Sequence, residues 1–350
     1  MKLLKPRPLT TSATATVVVP CYNYGHHLEQ LLVGVLDQPG VDVDVIIVDD
    51  CSPDGSGDVA EALAERYEQV SVIRHLTNKG HIQTYNDGLA VATGEYVALL
   101  SADDLLPPGA ISRSVSLMER HPTVGLVYGF ARSFSGEPPA PVQSTRNWTV
   151  WRGSEWLWLS TRQARCFISS PEVVMRTSAL RQAGGYDPRL PHSGDLDMWL
   201  RTAVNWDIGR VNGPDQALYR VHDSNMHLTT YAGMITDLRE RRVTFSILFD
   251  ERAPDRPDVT RLRAQTMRGL AVEAVRRGLA AHRDDLYRQL VTDYLEFARE
   301  TDPTVQRTGW WKLCEIGPLR QASFPGVSAR QLVSKVAKHV AWRRERRYGI

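Results

Sequence analysis

Two pairs of aspartates follow apolar segments directly, and these residue types in this position can do chemistry. Asp49-Asp50 ends the segment Val43–Val48, and Asp103-Asp104 comes shortly after the segment Glu95–Leu100. Adjacent carboxylates repel one another unless they share a positive group. Mg²⁺ and Mn²⁺ take carboxylate oxygens and leave positions open for phosphate oxygens. The pairs therefore predict a site for a divalent cation and a phosphate, with helix capping as the open alternative for Asp103-Asp104.

The elements that must position these pairs alternate between short apolar runs and segments of helical periodicity. Short runs rich in β-branched residues predict buried strands, and the periodic segments predict helices on both faces of a parallel sheet. Ligands bind such sheets at the carboxyl ends of the strands, where both aspartate pairs and the segment 20–23 would lie. The predicted strands are Thr16–Val19, Val43–Val48, Val70–Arg74 and Glu95–Leu100, and the predicted helices are His26–Leu36, Gly55–Tyr67 and Gln83–Thr93.

Length and composition favour one catalytic domain with a smaller appended region. The chain has 350 residues, of which 42% are hydrophobic and 23% charged, which excludes a disordered chain and a membrane bundle. We expect a loose arm at residues 1–14 and a catalytic domain at 15–230. That domain divides into two halves, 15–104 and 105–230. A helical accessory region is expected at 231–350.

Charge and cysteine usage bear on the compartment and the partners. Residues 231–350 carry 23 Lys and Arg against 15 Asp and Glu, although the whole chain has a net charge of +2. Four separated cysteines without zinc-site spacing fit a reducing cytosol. No stretch approaches the ~20 apolar residues of a membrane span. We expect a cytoplasmic protein without a nucleic-acid partner.

Blocks along residues 15–227 resemble glycosyltransferase family 2, the inverting nucleotide-sugar enzymes of GT-A fold, in both order and spacing. The resemblance implies a Rossmann-like α/β fold with a mixed, mostly parallel sheet and helices on both faces. It also implies a nucleoside-diphosphate sugar donor, with UDP- or dTDP-sugars favoured, a hydroxyl acceptor, and Mn²⁺ or Mg²⁺ as cofactor. Residues 15–104 would then be the nucleotide-binding half and residues 105–230 the acceptor-binding half. The blocks are VVVPCYNYGHHLEQLL, VIIVDDCSPDGS, NKGHIQTYNDGL, GEYVALLSADDLL, GGYDPRL, GDLDMWLR and YRVHDSNM.

The resemblance assigns donor-side roles residue by residue. Pro20 and Tyr22 would line the nucleobase slot, Asp50 would bind the edge of the base, and Asp103 would face the ribose. The metal that bridges the diphosphate would be bound by Asp104 and His222, since Ser101 replaces the upstream carboxylate of the family's Asp-x-Asp. The residues expected near the diphosphate are Asn78, Gly80 and His81.

On the acceptor side, Asp195 takes the position of the family's catalytic base, and Gly194 stands where the family has Glu. This chemistry needs a carboxylate that removes the proton of the attacking hydroxyl. For Asp197, capping and dipole complementation of the helix is the competing interpretation, and for Arg220 it is a structural ion pair. The further acceptor-side candidates are Ser169, Ser170, Glu172, Asp197, Trp199 and Arg220.

Three alternatives can be compared with this interpretation. A Rossmann dehydrogenase needs Gly-x-Gly-x-x-Gly after the first strand, and the chain has Cys-Tyr-Asn-Tyr-Gly there. A sugar nucleotidyltransferase would show a Gly-rich basic loop at the same place. A catalytically silent sugar-nucleotide-binding or scaffold protein stays open, because Gly194 and Ser101 replace two family carboxylates.

The basic C-terminal end predicts an amphipathic helix at about residues 332–347. Such a helix would allow peripheral contact with the inner face of a membrane. The helical region would also allow homo-oligomer formation.

Overall fold

A computed structural model of the protein describes residues 1–223, 225, 234–281 and 290–316. The described chain divides into two compact units. The first unit comprises residues 1–157 and 167–225, and the second comprises 158–166 with the described residues from 234 onward. The first is an α/β unit and the second is helical, so the predicted fold class with a helical C-terminal region is confirmed.

The first unit is built on a mixed nine-stranded sheet in the order β1-β8-β10-β6-β9-β5-β2-β3-β4, with a separate two-stranded sheet of β7 and β11. The strands β5, β2, β3 and β4 are mutually parallel. The strands are β1 Lys2–Leu4, β2 Ala13–Cys21, β3 Val41–Asp49, β4 Val70–Arg74, β5 Tyr96–Leu99, β6 Val124–Tyr128, β7 Ala131–Phe134, β8 Asn147–Trp151, β9 Val174–Arg176, β10 Asp207–Asn212 and β11 Ala217–Arg220.

Helices flank the sheet of the first unit and make up the second. In the described residues, no helix is long and apolar enough to cross a membrane. The predicted basic helix near 332–347 lies outside the described residues. The helices are α1 Gly25–Leu36, α2 Ser56–Arg66, α3 His81–Ala90, α4 Ala110–Arg120, α5 Gly153–Gln163, α6 Thr177–Ala183, α7 Gly194–Asn205, α8 Met234–Ile247, α9 Val259–Ala281, α10 Val291–Thr301 and α11 Gly309–Ile316.

Strand β2 shows why the apolar runs form the centre of the sheet. Val17, Val18 and Val19 are all fully buried, because side chains that alternate between the two faces are covered on each of them. From one side, α1 packs the fully buried Leu28 and Leu31 against the sheet. Burying one such side chain contributes ~1.5–3 kcal/mol, so this layer stabilises the packing of α1 on the centre of the sheet.

The amino-terminal residues differ from the expected loose arm. Lys2–Leu4 form β1, which pairs antiparallel with β8, and β2 already begins at Ala13. The α-amino group of Met1 also lies 2.8 Å from Glu155. The sequence carried no signal for this edge strand, because a three-residue strand is too short to show a period.

Candidate active site

The carboxyl ends of β2, β3 and β5 meet at one edge of the sheet because these strands are parallel neighbours. The backbone N–H of Asp50 donates to the carbonyl of Cys21 at 3.0 Å, which joins the segments after β3 and β2. Pro20 lies within β2 opposite Val48, and the side chain of Tyr22 follows at 45% exposure. Tyr22 and Asp50 therefore share this edge.

Asp50 is 3% exposed, and both of its carboxylate oxygens accept hydrogen bonds from the protein. Oδ1 lies 2.7 Å from Nδ1 of His75 and accepts the backbone N–H of Lys79 at 2.8 Å, while Oδ2 accepts the N–H of Gly80 at 2.9 Å. Burial raises the pKa of Asp50, but the hydrogen bonds from His75, Lys79 and Gly80 outweigh it and hold the pKa below its usual value. The Asp50 carboxylate is therefore ionised and lies at the start of α3, where the helix dipole favours a negative charge.

His75 and Asp87 extend this cluster and are not among the predicted site residues. Nε2 of His75 lies 3.0 Å from Oδ2 of Asp87, which also accepts a hydrogen bond from Nζ of Lys79 at 2.8 Å. The side chain of His75 is 2% exposed. The available signal was a histidine directly after β4, at the edge of the sheet where Asp50 was expected.

The three residues expected near the diphosphate have different surroundings. Oδ1 of Asn78 accepts the N–H of Gly80 at 3.1 Å, so both residues lie beside Asp50. Gly80 has φ +82°, a left-handed value that favours glycine. His81 instead directs Nε2 to the carbonyl of Pro191 at 2.8 Å, in the loop before α7. It therefore belongs to the acceptor-side cluster described below.

Asp103 is paired with His222. Oδ2 of Asp103 lies 2.9 Å from Nε2 of His222, whose side chain is partly exposed. These residues are 119 positions apart in the sequence and meet because β11, which ends at Arg220, passes beside the segment after β5. The structure thus brings His222 to the aspartate pair, with Asp103 as its partner.

Asp104 is more deeply buried than its neighbour Asp103. Its side chain is almost fully buried, and Oδ1 accepts the backbone N–H of Arg220 at 2.9 Å. Burial and the charge of Asp103 raise the pKa of Asp104 well above its usual value, against the smaller opposing effect of Arg220. The pair of Asp103 and His222 is more accessible than Asp104, and the expected metal role of Asp104 stays a prediction.

The side chain of Arg220 makes contacts that connect three segments around the aspartate pair. Its Nε donates to the carbonyl of Asp103 at 2.8 Å, and Nη2 donates to Oε1 of Gln30 at 2.8 Å. The guanidinium lies over the ring of Phe134, 4.6 Å from its centroid. These contacts join β11 to α1 and to the segment after β5, so the expected acceptor-side role of Arg220 has no support in its geometry.

Aromatic side chains from the start of α1 complete the surroundings of this pair and were not predicted. The Tyr24 ring lies edge-on to His222 with 5.6 Å between centroids. Burial, Asp103 and Asp104 raise the pKa of Tyr24 to about 12. Burial, His26 and Arg220 lower the pKa of His27 to about 4, so its ring is neutral near pH 7.

The donor set at Asp103 fits a divalent cation. The described residues contain no cluster of three or more His, Cys, Asp or Glu side chains that could hold an ion. Mg²⁺-type ions, however, are commonly held by one or two protein groups together with substrate phosphates, and adjacent ligands in an octahedral shell at ~2.1 Å lie about 3 Å apart. The 2.9 Å between Asp103 Oδ2 and His222 Nε2 matches that spacing. A bound cation would also offset the repulsion between the adjacent carboxylates of Asp103 and Asp104.

Asp195 lies in the first turn of α7 and forms a second cluster. The hydroxyl of Tyr186 donates to Oδ1 of Asp195 at 2.8 Å. Burial raises the pKa of Asp195, and hydrogen bonds from Tyr186 and Ser170 together with the nearby His81 oppose this only in part. A carboxylate with a raised pKa accepts a proton more readily, which is the property of a general base.

Gly194 and Asn86 fix the position of Tyr186. A Cβ atom at Gly194 would lie 2.9 Å from Cδ1 of Tyr186, so the glycine leaves room for this ring. The side chain of Asn86 accepts the Tyr186 N–H at 2.7 Å and donates to its carbonyl at 2.9 Å. Because Asn86 lies on α3, whose N-cap is Gly80, a single helix connects the Asp50 cluster to the Asp195 cluster.

The remaining acceptor-side candidates separate into one residue at the site and three structural ones. Ser170 contacts Asp195. The side chain of Glu172 accepts the N–H of Ser169 at 3.1 Å, so these two residues stabilise the short helical turn Ser170–Glu172. Trp199 is buried among apolar side chains, which removes it from a surface that could contact an acceptor.

Asp197 also has a structural role. Its Oδ2 accepts a hydrogen bond from Nε of Arg201 at 2.8 Å, and both side chains are buried. Arg201 in turn donates to the carbonyls of Gly184 and Gly185. This ion pair thus fixes the loop that carries Tyr186, and the competing interpretation of Asp197 as a structural residue is the one that its contacts favour.

Comparison with known proteins adds a family and a fold. Residues 16–183 match the sequence model of Glycosyl transferase family 2. An uncharacterized glycosyltransferase of Nostoc sp. (strain PCC 7120) is 27% identical over 219 residues, which cover 61% of this chain and 66% of the relative. Glycosyltransferase GlyG of Streptococcus pneumoniae is 30% identical over 125 residues, which cover 35% of this chain and 42% of the relative. The chain spans less than two thirds of the length of both relatives.

Two solved structures share the fold. A mannosyltransferase from Pyrobaculum calidifontis in complex with GDP-Man and Mn²⁺ has a TM-score of 0.56 and 18% identity, covering 86% of this chain and 90% of that one. S. aureus TarS in complex with UDP-GlcNAc has a TM-score of 0.53 and 15% identity, covering 84% and 92%. The GT-A fold predicted from the sequence blocks is thereby confirmed.

Proposed function

Residues 16–183 form a glycosyl transferase family 2 domain, and on this premise we propose that the chain transfers a sugar from a nucleoside-diphosphate sugar to an acceptor hydroxyl with inversion. The acceptor oxygen attacks the anomeric carbon as the bond from that carbon to the diphosphate breaks. The leaving nucleoside diphosphate takes the bonding electron pair, and Asp195 takes the hydroxyl proton. One displacement from the opposite face inverts the anomeric centre.

The observation that carries this proposal is the Asp195 cluster. A hydroxyl is a weak acid, so its proton is best removed by a carboxylate that is ionised near neutral pH but has a raised pKa. Burial raises the pKa of Asp195, while Tyr186 holds Oδ1 in a fixed direction. Ser170, which also contacts Asp195, is the acceptor-side residue that we retain from the sequence predictions.

On the donor side, we propose that the nucleoside lies at the edge of the sheet formed by β2 and β3, with Tyr22 and Pro20 against the base and Asp50 at its edge. An ionised carboxylate accepts from a ring N–H, which uracil, thymine and guanine all offer. The two structural neighbours were solved with GDP-Man and with UDP-GlcNAc. We favour UDP- or dTDP-sugars, and a saccharide, a lipid-linked saccharide or a secondary metabolite as acceptor.

We assign the divalent cation, Mn²⁺ or Mg²⁺, to Asp103 and His222. When bound, it neutralises the charge that develops on the departing diphosphate. In this proposal, Asp104 supports the site indirectly, because it accepts a hydrogen bond from the backbone N–H of Arg220. Arg220 then fixes the backbone of Asp103.

The alternative of a catalytically silent family member rested partly on Gly194, and the room that Tyr186 needs gives that glycine a structural reason. The test is to incubate the protein with a panel of nucleotide sugars, candidate acceptors and Mn²⁺, and to score sugar transfer and nucleoside diphosphate release. We expect Asp195→Asn to lower kcat by ~10²–10⁴-fold with an unchanged affinity for the nucleotide. An equal loss of nucleotide affinity would remove Asp195 from the role of base, and a wild type that binds donors without transfer would support the silent alternative.

A further inference from the structure

The buried imidazole of His75 has no part in the chemistry proposed above, yet both of its nitrogens face carboxylate oxygens. Nδ1 is 2.7 Å from Oδ1 of Asp50, and Nε2 is 3.0 Å from Oδ2 of Asp87. Nε2 makes no hydrogen bond within the described residues, so Asp87 is its charge neighbour rather than a bonded partner. A histidine that is buried only for packing would not need a carboxylate next to each ring nitrogen.

The ionised state of Asp50 determines which group donates in its contact with Nδ1 of His75. Its pKa is held below the usual value, so the carboxylate is ionised and can only accept. Nδ1 of His75 therefore carries a proton and donates it. Together with the N–H groups of Lys79 and Gly80, this gives the Asp50 carboxylate three donors in fixed directions.

Two exposed residues directly follow His75 and Asp50 in the sequence. Leu76, which directly follows His75, is 95% exposed, and Cys51, which directly follows Asp50, is exposed as well. The Cys51 thiol lies 3.6 Å from the carbonyl of Leu76, which holds these two segments together. An exposed leucine beside an ionised carboxylate offers an apolar face and an acceptor, the two features that a flat base with a ring N–H requires.

We propose that His75 is a positioning residue for the nucleobase: its Nδ1–H fixes the Asp50 carboxylate in the orientation that accepts from the base, and Asp87 fixes the imidazole ring. The inference rests on the proposed function, because it assigns Asp50 to the base. It adds that the affinity for the nucleotide depends on a hydrogen-bond donor at the position of Nδ1. Nε2 serves only to orient the ring.

Two isosteric variants separate these positions. The amide nitrogen of Asn reproduces the Nδ1 donor, whereas that of Gln reproduces the Nε2 donor. We expect His75→Gln to weaken binding of UDP, dTDP or GDP by about tenfold, as loss of a hydrogen bond to a charged group does, and His75→Asn to restore most of the affinity. Calorimetric titration of each nucleotide with MnCl₂ present measures these constants, with His121→Gln as the control histidine.

Catalysis gives a second readout. We expect His75→Gln to raise the donor KM while leaving kcat at saturating donor within about twofold, because the reacting atoms are untouched. Should His75→Gln fail to fold, Asp87→Asn keeps the imidazole and removes the charge facing Nε2, and we expect it to raise the KM by about threefold. In the protein without nucleotide, the imidazole Nδ1–H should give a slowly exchanging proton NMR signal that is absent in His75→Gln.

The outcomes are distinct. If the wild type binds none of the three nucleotides, the proposed function and this inference both fail. If the wild type binds a nucleotide and His75→Gln binds it equally well, or if His75→Asn loses as much affinity as His75→Gln in a folded protein, the positioning role alone is overturned. A fall in kcat at an unchanged KM would also overturn it.

Discussion

The hydroxyl of Tyr186 donates a 2.8 Å hydrogen bond to Oδ1 of Asp195, and Asn86 in α3 forms two hydrogen bonds with the backbone of the same tyrosine. The proposed base is thus oriented by a residue that is itself held from the donor side of the sheet. Three predictions concern this chain of contacts, and a fourth concerns the aspartate pair.

We expect Tyr186→Phe to shift the acid limb of kcat/KM to higher pH. The Tyr186 hydrogen bond lowers the pKa of Asp195 against the raising effect of burial, so its removal raises that pKa further. Asp195 must be ionised to accept a proton, and activity is therefore lost at a higher pH as the solution is acidified. On the acid side, the loss should be about tenfold, with little change on the alkaline side. A pH–rate profile beside Tyr67→Phe measures this, and superimposable profiles would contradict the assignment.

We expect Gly194→Ala to destabilise the protein by about 1–3 kcal/mol, as overpacking does, and to lower kcat. The new Cβ would approach Tyr186 Cδ1 to 2.9 Å and displace the ring that orients Asp195. Urea unfolding gives the free energy of unfolding. Gly269→Ala in α9 is the matched control, since its Cβ would meet its nearest neighbour at an ordinary 3.5 Å. A Gly194→Ala variant as stable and active as Gly269→Ala would contradict the packing argument.

We expect Asn86→Asp to lower kcat by about tenfold while the nucleotide affinity stays within about twofold. The variant keeps an acceptor for the Tyr186 N–H, but its second carboxylate oxygen faces the Tyr186 carbonyl, which then has no donor. Leaving a carbonyl unpaired in this way costs ~1–3 kcal/mol. The contact that is lost lies on the acceptor side of α3. Steady-state kinetics and calorimetry separate the two effects. A loss of nucleotide affinity equal to the loss in kcat would mean that Asn86 supports the helix rather than the tyrosine.

We expect Asp103→Ala and His222→Ala each to weaken Mn²⁺ binding at least tenfold, and Asp104→Asn to weaken it less. The amide of Asp104→Asn still offers an oxygen to the Arg220 N–H, which is the contact that Asp104 makes. Electron paramagnetic resonance of Mn²⁺ titrated in the presence of UDP or GDP measures the affinity without turnover. If Asp104→Asn abolished binding while Asp103→Ala preserved it, the ligand assignment would be reversed.

The sequence predicted the strand ends that carry the candidate side chains better than it predicted what each of these side chains contacts. Val43–Val48 and Glu95–Leu100 located the strand ends because buried parallel strands are continuous apolar runs. Nothing local to Asp104 could show that its partner is the backbone of Arg220, 116 residues away. The family resemblance suggested the proposed role of Asp195, whereas its contact with Tyr186 is seen only in the three-dimensional structure.

The same limit explains His75 and β1. A single histidine after a strand is ambiguous until its neighbours are known, and three residues carry no period. Short and long-range contacts of this kind depend on tertiary packing, which overrides local preference.

The fit of Asn86 against Gly185 has a consequence for building hybrid enzymes. A Cβ at Gly185 would come within 2.6 Å of the Asn86 side chain. Residues 15–104 therefore fit only a loop that has glycine at this position. A chimaera that grafts the acceptor half of a relative onto residues 15–104 would have to inherit Gly185 and Tyr186 together with Asn86. Without these three residues, Tyr186 would not be held in place, and the proposed base Asp195 would lose the hydrogen bond that orients it.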